Sequence, residues 1–229
     1  MATLTVYPDA DPEVSTVDGN VLRNLSNPGE TYATIYGGVA NFAQPGAAGQ
    51  STYFSRLLAS TTTDQFNQLR RAFFLFDTSA IGGGTIDSAT FSFIAISKST
   101  GLGTTNLHLV SSNPASNTDL VVGDYDKLGS TSYGNVTLAS IAADSITYND
   151  ISLNASGLAA INKTGITKFG TCDEWNLNSS FTGVWASGGT TEVLGMFADT
   201  DAAKKPKLTI TYTEAPSSAG KNIGLLGIG

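Results

Sequence analysis

A run of five apolar residues, Ala72–Phe76, constrains the fold more strongly than any other feature of this sequence. Side chains alternate between the two faces of a β-strand. Phe73 and Leu75 would therefore point to one side of the strand. Phe74 and Phe76 would point to the other side, so both faces need cover. We predict a central core strand whose outer face is covered by a loop, a helix or a neighbouring subunit.

Polar residues flank this run on both sides. Arg70 and Arg71 come directly before it and are expected to mark the point where the strand enters from solvent. The side-chain oxygens of Asp77, Thr78 and Ser79 would serve the turn that ends the strand. Residues 70–77 are thus predicted to be one strand with polar ends.

Other segments alternate between apolar and polar residues and are separated by turn signals, which is typical of strands. The predicted strands cover residues 3–7, 30–37, 70–77, 85–97, 106–110, 145–153, 166–172, 191–198 and 206–214. Residues 39–50 are predicted to form a loop or an irregular edge. One short helix is predicted over 154–165, capped by Asn154 or Ser156 and terminated by Gly165. About ten strands with one short helix predict an all-β jelly-roll β-sandwich.

The composition agrees with a β-sandwich. Charged residues make up only 14% of the chain, as suits half-buried sheet surfaces, and the 25 glycines suit the tight turns between strands. Residues 1–214 are predicted to form the sandwich. Residues 215–229 differ in composition and are predicted to be a glycine-rich docking tail that lies on this sandwich or on a neighbouring subunit. The large apolar side chains of this tail are those of Ile223, Leu225, Leu226 and Ile228.

The net charge of −7 argues against two classes of partner. Nucleic acids and anionic membranes both attract basic surfaces, so we expect neither as a partner. No apolar run is long enough to span a bilayer as a helix, and the first residues lack the basic and apolar regions of a secretory signal. The protein is therefore expected to act where it is made or to leave the cell in a particle.

The residues that most enzymes need are scarce in this chain. A Ser-His-Asp triad would need His108, the only histidine, which we expect to be an exposed strand residue. One cysteine and one histidine cannot supply a zinc site. Cys172, the only cysteine, allows no intrachain disulfide and is expected to be a small core residue. No pair of carboxylates stands out by its spacing, so we predict a protein without enzymatic activity.

Acidic residues near both ends of the predicted sandwich suggest a calcium site. Calcium binds several oxygens from carboxylates and backbone carbonyls. The first and last strands of a jelly roll are often neighbours, so acids beside them could meet. These acids are Asp9, Asp11, Glu13, Asp18, Asp199 and Asp201. The candidate ligands are Asp9, Asp11, Asp18 and Asp199, and the alternative is that these acids are solvated loop residues.

Aromatic residues in the predicted loops offer a second type of site. Sugar rings stack on exposed tryptophan and tyrosine rings. Trp175 and Trp185 flank one loop, and Tyr125 lies in an earlier loop. These three residues are the candidate carbohydrate contacts. The alternative is that the tryptophans are core or corner residues of the sandwich.

Three passages in a fixed order resemble a known family. RRAFFLFDTSAI, GGTIDSATFSFIAIS and KPKLTITYT resemble the carbohydrate-binding-module-like jelly rolls that include the DNRLRE-type domains. Three further passages resemble a group of uncharacterised sequences from phage and environmental genomes. These are YPDADPEVSTVDG, SSNPASNTD and LNASGLAAINKTGITKFG. The resemblance covers nearly the whole chain up to Thr213 and is more specific for fold than for function.

The second resemblance implies a structural or accessory protein of a phage virion, either a capsid decoration or a tail component. Its partners would be copies of itself or other virion proteins, and its location would be the virion. The alternative is a carbohydrate-binding or host-adhesion module at an extracellular surface, which would bind surface glycans through loop aromatics.

Overall fold

The structure is a computed structural model that describes residues 1–46 and 52–216. In this part of the chain, twelve strands and three short helices form an all-β fold, which confirms the predicted fold class. The strands are β1 Ala2–Val6, β2 Asp18–Asn24, β3 Phe42–Pro45, β4 Tyr53–Ala59, β5 Phe66–Asp77, β6 Thr85–Thr100, β7 Asn106–Ser111, β8 Gly134–Thr137, β9 Tyr148–Ser152, β10 Ile166–Asp173, β11 Thr190–Gly195 and β12 Lys207–Thr213. The helices are α1 Tyr32–Gly37, α2 Ala155–Ala159 and α3 Glu174–Leu177.

All strand pairs are antiparallel, and the main order is β1-β12-β6-β11-β4-β5-β10-β7-β8. β2 pairs with β5 and carries β3 on its other side, while β9 pairs with β6. The first and last strands are neighbours as predicted, with Ala2 opposite Tyr212 and Val6 opposite Leu208. The loops that follow β1 and precede β12 therefore leave the sheet at the same end.

The predicted alternation along β5 is confirmed by two separate hydrophobic clusters, one on each face. Phe74 and Phe76 belong to the larger cluster between the strands of the sandwich. Phe73 and Leu75 belong to the second cluster, together with side chains of α1 and α3. These helices and the loops between strands cover the outer face of β5 within this chain. The second layer therefore does not require a neighbouring subunit.

The two arginines of β5 correct the prediction that this strand begins at residue 70. The strand begins at Phe66, so Arg70 and Arg71 lie inside it and are only 7% and 3% exposed. Arg70 donates from Nε to the side-chain oxygen of Gln68 at 2.8 Å. Both guanidinium groups are thus core groups held by polar partners, because a buried charge must be hydrogen-bonded to be tolerated.

Residues 32–37 form helix α1, so the strand predicted over 30–37 is wrong. The Thr31 hydroxyl accepts a hydrogen bond from the Thr34 backbone N–H at 3.4 Å and caps the helix. Tyr32 and Ile35 are both buried, and their spacing of three residues puts them on one helical face. So short an apolar pattern fits both a strand and a helix, and packing decides between them.

The helix predicted over 154–165 is shorter than expected. Its start is confirmed, because the Asn154 side chain accepts from the Gly157 backbone N–H at 3.0 Å. Its end at Ala159 is earlier than the predicted end at Gly165. Beyond the helix, Ile161 enters the main core, and the Asn162 backbone N–H donates to the Thr167 hydroxyl at 2.9 Å.

Candidate functional site

A cluster of three carboxylates lies where the loop after β1 meets the loop before β12. Asp11 and Glu13 come from the first loop, and Asp199 comes from the second. One carboxylate oxygen of each residue lies within 4.8 Å of the other two. We call these three residues the acid cluster. The pairing of β1 with β12 explains why residues so far apart in sequence meet here.

Two oxygens of the acid cluster are buried without a hydrogen-bond donor. They are Oε1 of Glu13 and Oδ2 of Asp199. The other oxygen of Asp199, Oδ1, accepts from the Asp11 backbone N–H at 2.5 Å and joins the two loops. A buried carboxylate oxygen without a donor or a cation is unfavourable. These two oxygens are therefore suited to bind a proton or a metal ion.

The pKa of Glu13 reflects this environment. Burial first, and then the neighbouring Asp11 carboxyl, raise the pKa of Glu13 from 4.5 to about 7. The charge of Asp199 acts in the same direction. Without a cation, the Glu13 carboxyl therefore holds a proton in weakly acidic solution.

Asp18 lies behind the acid cluster at the start of β2 and is fully buried. Its carboxylate accepts from the Ala198 backbone N–H at 2.9 Å. Burial raises the pKa of Asp18 well above its ordinary value, and the charges of Asp199 and Glu13 raise it further. Asp18 thus adds a fourth acidic group to the surroundings of the cluster without joining it.

The acid cluster fits a hard divalent cation. Calcium takes oxygen ligands at about 2.3–2.6 Å, so two ligand oxygens around one ion are separated by distances of the size found here. Asp11, Glu13 and Asp199 would hold such an ion. The donor set contains only oxygen, which suits calcium better than zinc or copper.

The other predicted ligands have different roles. The Asp9 carboxylate is occupied, because its Oδ2 accepts from the backbone N–H groups of Ser15 at 2.6 Å and Thr16 at 3.1 Å. Of the predicted set Asp9, Asp11, Asp18 and Asp199, the structure brings Asp11 and Asp199 together. Glu13 completes the cluster, although its position in the sequence did not distinguish it from the other loop acids.

The acid cluster is expected to make the stability of the folded protein depend on pH. Glu13 binds protons more tightly in the folded state than in the unfolded state, so stability is lost as the pH rises from 4.5 to about 7. The raised pKa of Asp18 acts in the same direction. Between pH 5 and pH 7 in EDTA, we expect the melting temperature of the wild-type protein to fall relative to that of Glu13→Gln, because the opposite effect of the lowered pKa of His108 is the same in both proteins. Parallel pH profiles of the two proteins would contradict the assignment.

Two of the three aromatic candidates, Tyr125 and Trp175, are buried in the core, while Trp185 is only partly buried and stays a predicted sugar contact. Tyr125 is 2% exposed and donates its hydroxyl to the Ile35 carbonyl at 2.8 Å. Trp175 is 4% exposed and packs against Phe181. Trp185 is partly buried and donates from Nε1 to the Gln65 carbonyl at 3.0 Å. The rings of Tyr125 and Trp175 therefore present no face to a sugar in solvent.

His108 and Cys172 are both buried side chains on neighbouring strands. His108 was predicted to be exposed, but it is 6% exposed and shares a hydrogen bond of 2.9 Å between its Nδ1 and the Ser132 hydroxyl. Burial lowers the pKa of His108 and raises the pKa of Cys172. The prediction that Cys172 is a small core residue is confirmed.

A comparison with protein-family models finds no match to this chain, and a search of curated proteins finds none. Within residues 1–46 and 52–216, no helix combines the length and apolar character needed to cross a bilayer.

Proposed function

We propose that this protein is a non-enzymatic structural or accessory component of a virion, a capsid decoration or a tail component. Its partners would be further copies of itself or other virion proteins. The observation that carries the assembly role is the free edge of β1. This strand pairs with β12 on one side, and no other strand of the described residues pairs with its second side.

The sequence of β1 makes this edge suitable for pairing with another chain. Its residues, ATLTV, include no charge and no proline. Natural sheet edges that must stay unpaired usually carry lysine, proline or a bulge. An uncharged edge exposes backbone N–H and C=O groups that a strand of a second copy can use. The apolar residues of the predicted docking tail, Ile223, Leu225, Leu226 and Ile228, lie outside the described residues.

Assembly can be tested with one charged residue at this edge. Thr3 is exposed on β1, so Thr3→Lys should leave the fold intact and weaken self-association by about tenfold or more, because a lysine is repelled by its own copy and resists burial. Thr118→Lys is a matched control in an exposed loop. Size-exclusion chromatography with light scattering would give the mass of each variant.

Deleting residues 215–229 tests the tail in the same measurement. We expect a folded protein that no longer assembles. A monomeric wild-type protein, or full assembly of both Thr3→Lys and the deletion variant, would contradict the assembly role.

We also propose that calcium binds the acid cluster and fastens the loop after β1 to the loop before β12. The orphaned oxygens of Glu13 and Asp199 support this assignment. A bound divalent cation would offset the mutual repulsion of three carboxylates and replace the proton on Glu13. Its role would be structural, because both loops adjoin the edge strand β1 or its neighbour β12.

A further inference from the structure

A groove lies between the start of β6 and the segment formed by the end of α2 and the residues that follow it. Its volume is about 260 Å³. The residues that line it are Thr85, Ile86, Leu158, Ala159, Ile161 and Lys163. The groove shares no residue with the acid cluster. We call it the α2 groove.

The apolar side chains of the α2 groove continue the main core to the surface. Ile161 belongs to that core and is 5% exposed. Ile86 and Leu158 pack against the same core and are only partly buried. Ala159, the last residue of α2, is exposed. Removing apolar surface from water is favourable, so an apolar segment that covers this groove would be stabilised there.

The size and polarity of the α2 groove favour peptide side chains over a free small molecule. Pockets for small molecules usually have volumes of about 300–1,000 Å³ and a few polar groups that orient the ligand. This groove is smaller, and Thr85 and Lys163 are its polar side chains. The Nζ of Lys163 already donates to the Gly84 carbonyl at 2.8 Å. Aliphatic side chains of a peptide segment therefore match the groove better.

The described part of the chain ends beside this groove. Thr213, at the end of β12, lies opposite Thr85 of β6. A Cβ atom built on Gly83 would lie 3.2 Å from the Cβ of Ala215, so the chain passes the turn before β6 as it leaves the sheet. Residues 217–229 follow and lie outside the described residues. Their first part, 217–222, reads SSAGKN, and the large apolar side chains come after it, at Ile223, Leu225, Leu226 and Ile228.

The spacer of residues 217–222 is long enough to bring these apolar residues to the groove of the same chain. A chain spans at most about 3.3–3.6 Å per residue, so this spacer reaches up to about 20 Å. Thr85 is only about 7 Å along the strand from Gly83. A segment on so short a linker has an effective concentration of about millimolar. The same segment of a second copy would compete only at a similar protein concentration, which favours the segment of the same chain.

We propose that residues 223–228 dock in the α2 groove of their own chain. Their aliphatic side chains would cover Ile86 and Leu158 and bury the edge of the main core that these two residues leave partly exposed. Thr85 and Lys163 would border the docked segment.

Docking in this groove would also fix the position of the tail relative to the edge strand β1. Ala2 of β1 lies opposite Tyr212 of β12, which lies opposite Ile86 of β6. A segment docked at Ile86 is therefore two strand spacings, or roughly 10 Å, from β1. Docking occurs within one copy and does not depend on the proposed assembly, although it holds the tail near the edge that assembly would use.

Methyl nuclear magnetic resonance on the full chain tests this docking. We expect nuclear Overhauser contacts between the methyl groups of residues 223–228 and those of Ile86 and Leu158. Deleting residues 217–229 should shift the methyl signals of Ile86 and Leu158 and leave those of Leu57, in the second hydrophobic cluster, unchanged. A mixture of isotope-labelled and unlabelled chains separates contacts within one chain from contacts between copies.

Ala159→Glu tests the groove itself. Because Ala159 is exposed, this variant should keep the fold. A carboxylate at the apolar groove should weaken docking by about tenfold or more and remove most of the contacts. Ala155→Glu is the matched control, because Ala155 is exposed on the same helix and does not line the groove. It should keep the contacts of the wild-type protein.

Three results would overturn the docking proposal: no contacts in the full chain, contacts between copies only, or unchanged contacts in Ala159→Glu. The mass from size-exclusion chromatography is a separate result. A monomer with intact contacts would contradict the proposed assembly and support docking. An assembled protein without these contacts would contradict docking and leave the proposed assembly standing.

Discussion

Phe74→Asp is expected to abolish the folded state. Phe74 is fully buried in the main core, where its ring lies 5.0 Å from that of Phe54 and 5.4 Å from that of Phe197. Removing a buried phenylalanine costs about 3–5 kcal/mol, and an unpaired buried carboxylate adds several kcal/mol more. The sum is comparable with the entire stability of a typical domain, about 5–15 kcal/mol.

Circular dichroism in the near and far ultraviolet would measure the loss of fixed tertiary packing and of sheet. Phe42→Asp is the matched control, because Phe42 lies on the edge strand β3 and is 51% exposed. That variant should remain folded with a similar melting temperature. If Phe74→Asp melts cooperatively within a few degrees of the wild-type protein, the assignment of this face to the core is wrong.

The fold of β5 could be predicted because the period of a strand is fixed. Once Ala72–Phe76 is a strand, alternation alone divides its phenylalanines between two faces, and the two hydrophobic clusters confirm that division. The burial of Arg71 could not be predicted in this way. Its cover comes from Tyr36 and Tyr125, which are 35 and 54 residues away and meet it only in the tertiary structure.

Helix α1 shows a second limit of the sequence pattern. In residues 30–37, apolar side chains recur at spacings that fit either a strand or one face of a short helix. The capping hydroxyl of Thr31 was the signal that favoured a helix, but a threonine is also common in strands. The packing of Tyr32 against Phe66 of β5, with ring centroids 5.7 Å apart, belongs to the tertiary structure and not to the local pattern.

The acid cluster was predictable in part. The expectation that the first and last strands are neighbours brings the loop of Asp11 close to the loop of Asp199. The assignment of individual acids could not follow from spacing. Asp9 bonds to backbone N–H groups of its own loop, while Asp18 turns into the interior at the start of β2. Which carboxylates face each other depends on the path of the loop, which depends on these local bonds.

Calcium is expected to raise the melting temperature of this protein by about 5–10 °C when its free concentration is about a hundredfold above the dissociation constant. Binding at that ratio adds about 2.7 kcal/mol to the free energy of unfolding, and each kcal/mol raises the melting temperature of a chain of this size by about 2–4 °C. EDTA should reverse the increase. The effect should be larger at pH 7.5 than at pH 5, because Glu13 must lose its proton to bind the ion.

Asp199→Asn separates calcium binding from the structural role of Asp199. The asparagine Oδ1 can still accept from the Asp11 backbone N–H, so the bond between the loops is preserved. Without calcium, this variant should be as stable as the wild-type protein or slightly more stable, because one of three repelling carboxylates is gone. With calcium, its melting temperature should not rise.

Asp201→Asn is the matched control. Asp201 is two residues away and outside the cluster, so this variant should respond to calcium like the wild-type protein. If calcium still raises the melting temperature of Asp199→Asn, the ion binds elsewhere. Asp199 supplies one of only three carboxylates in this cluster, whose oxygens lie within 4.8 Å of one another, so its loss must weaken calcium binding at this site.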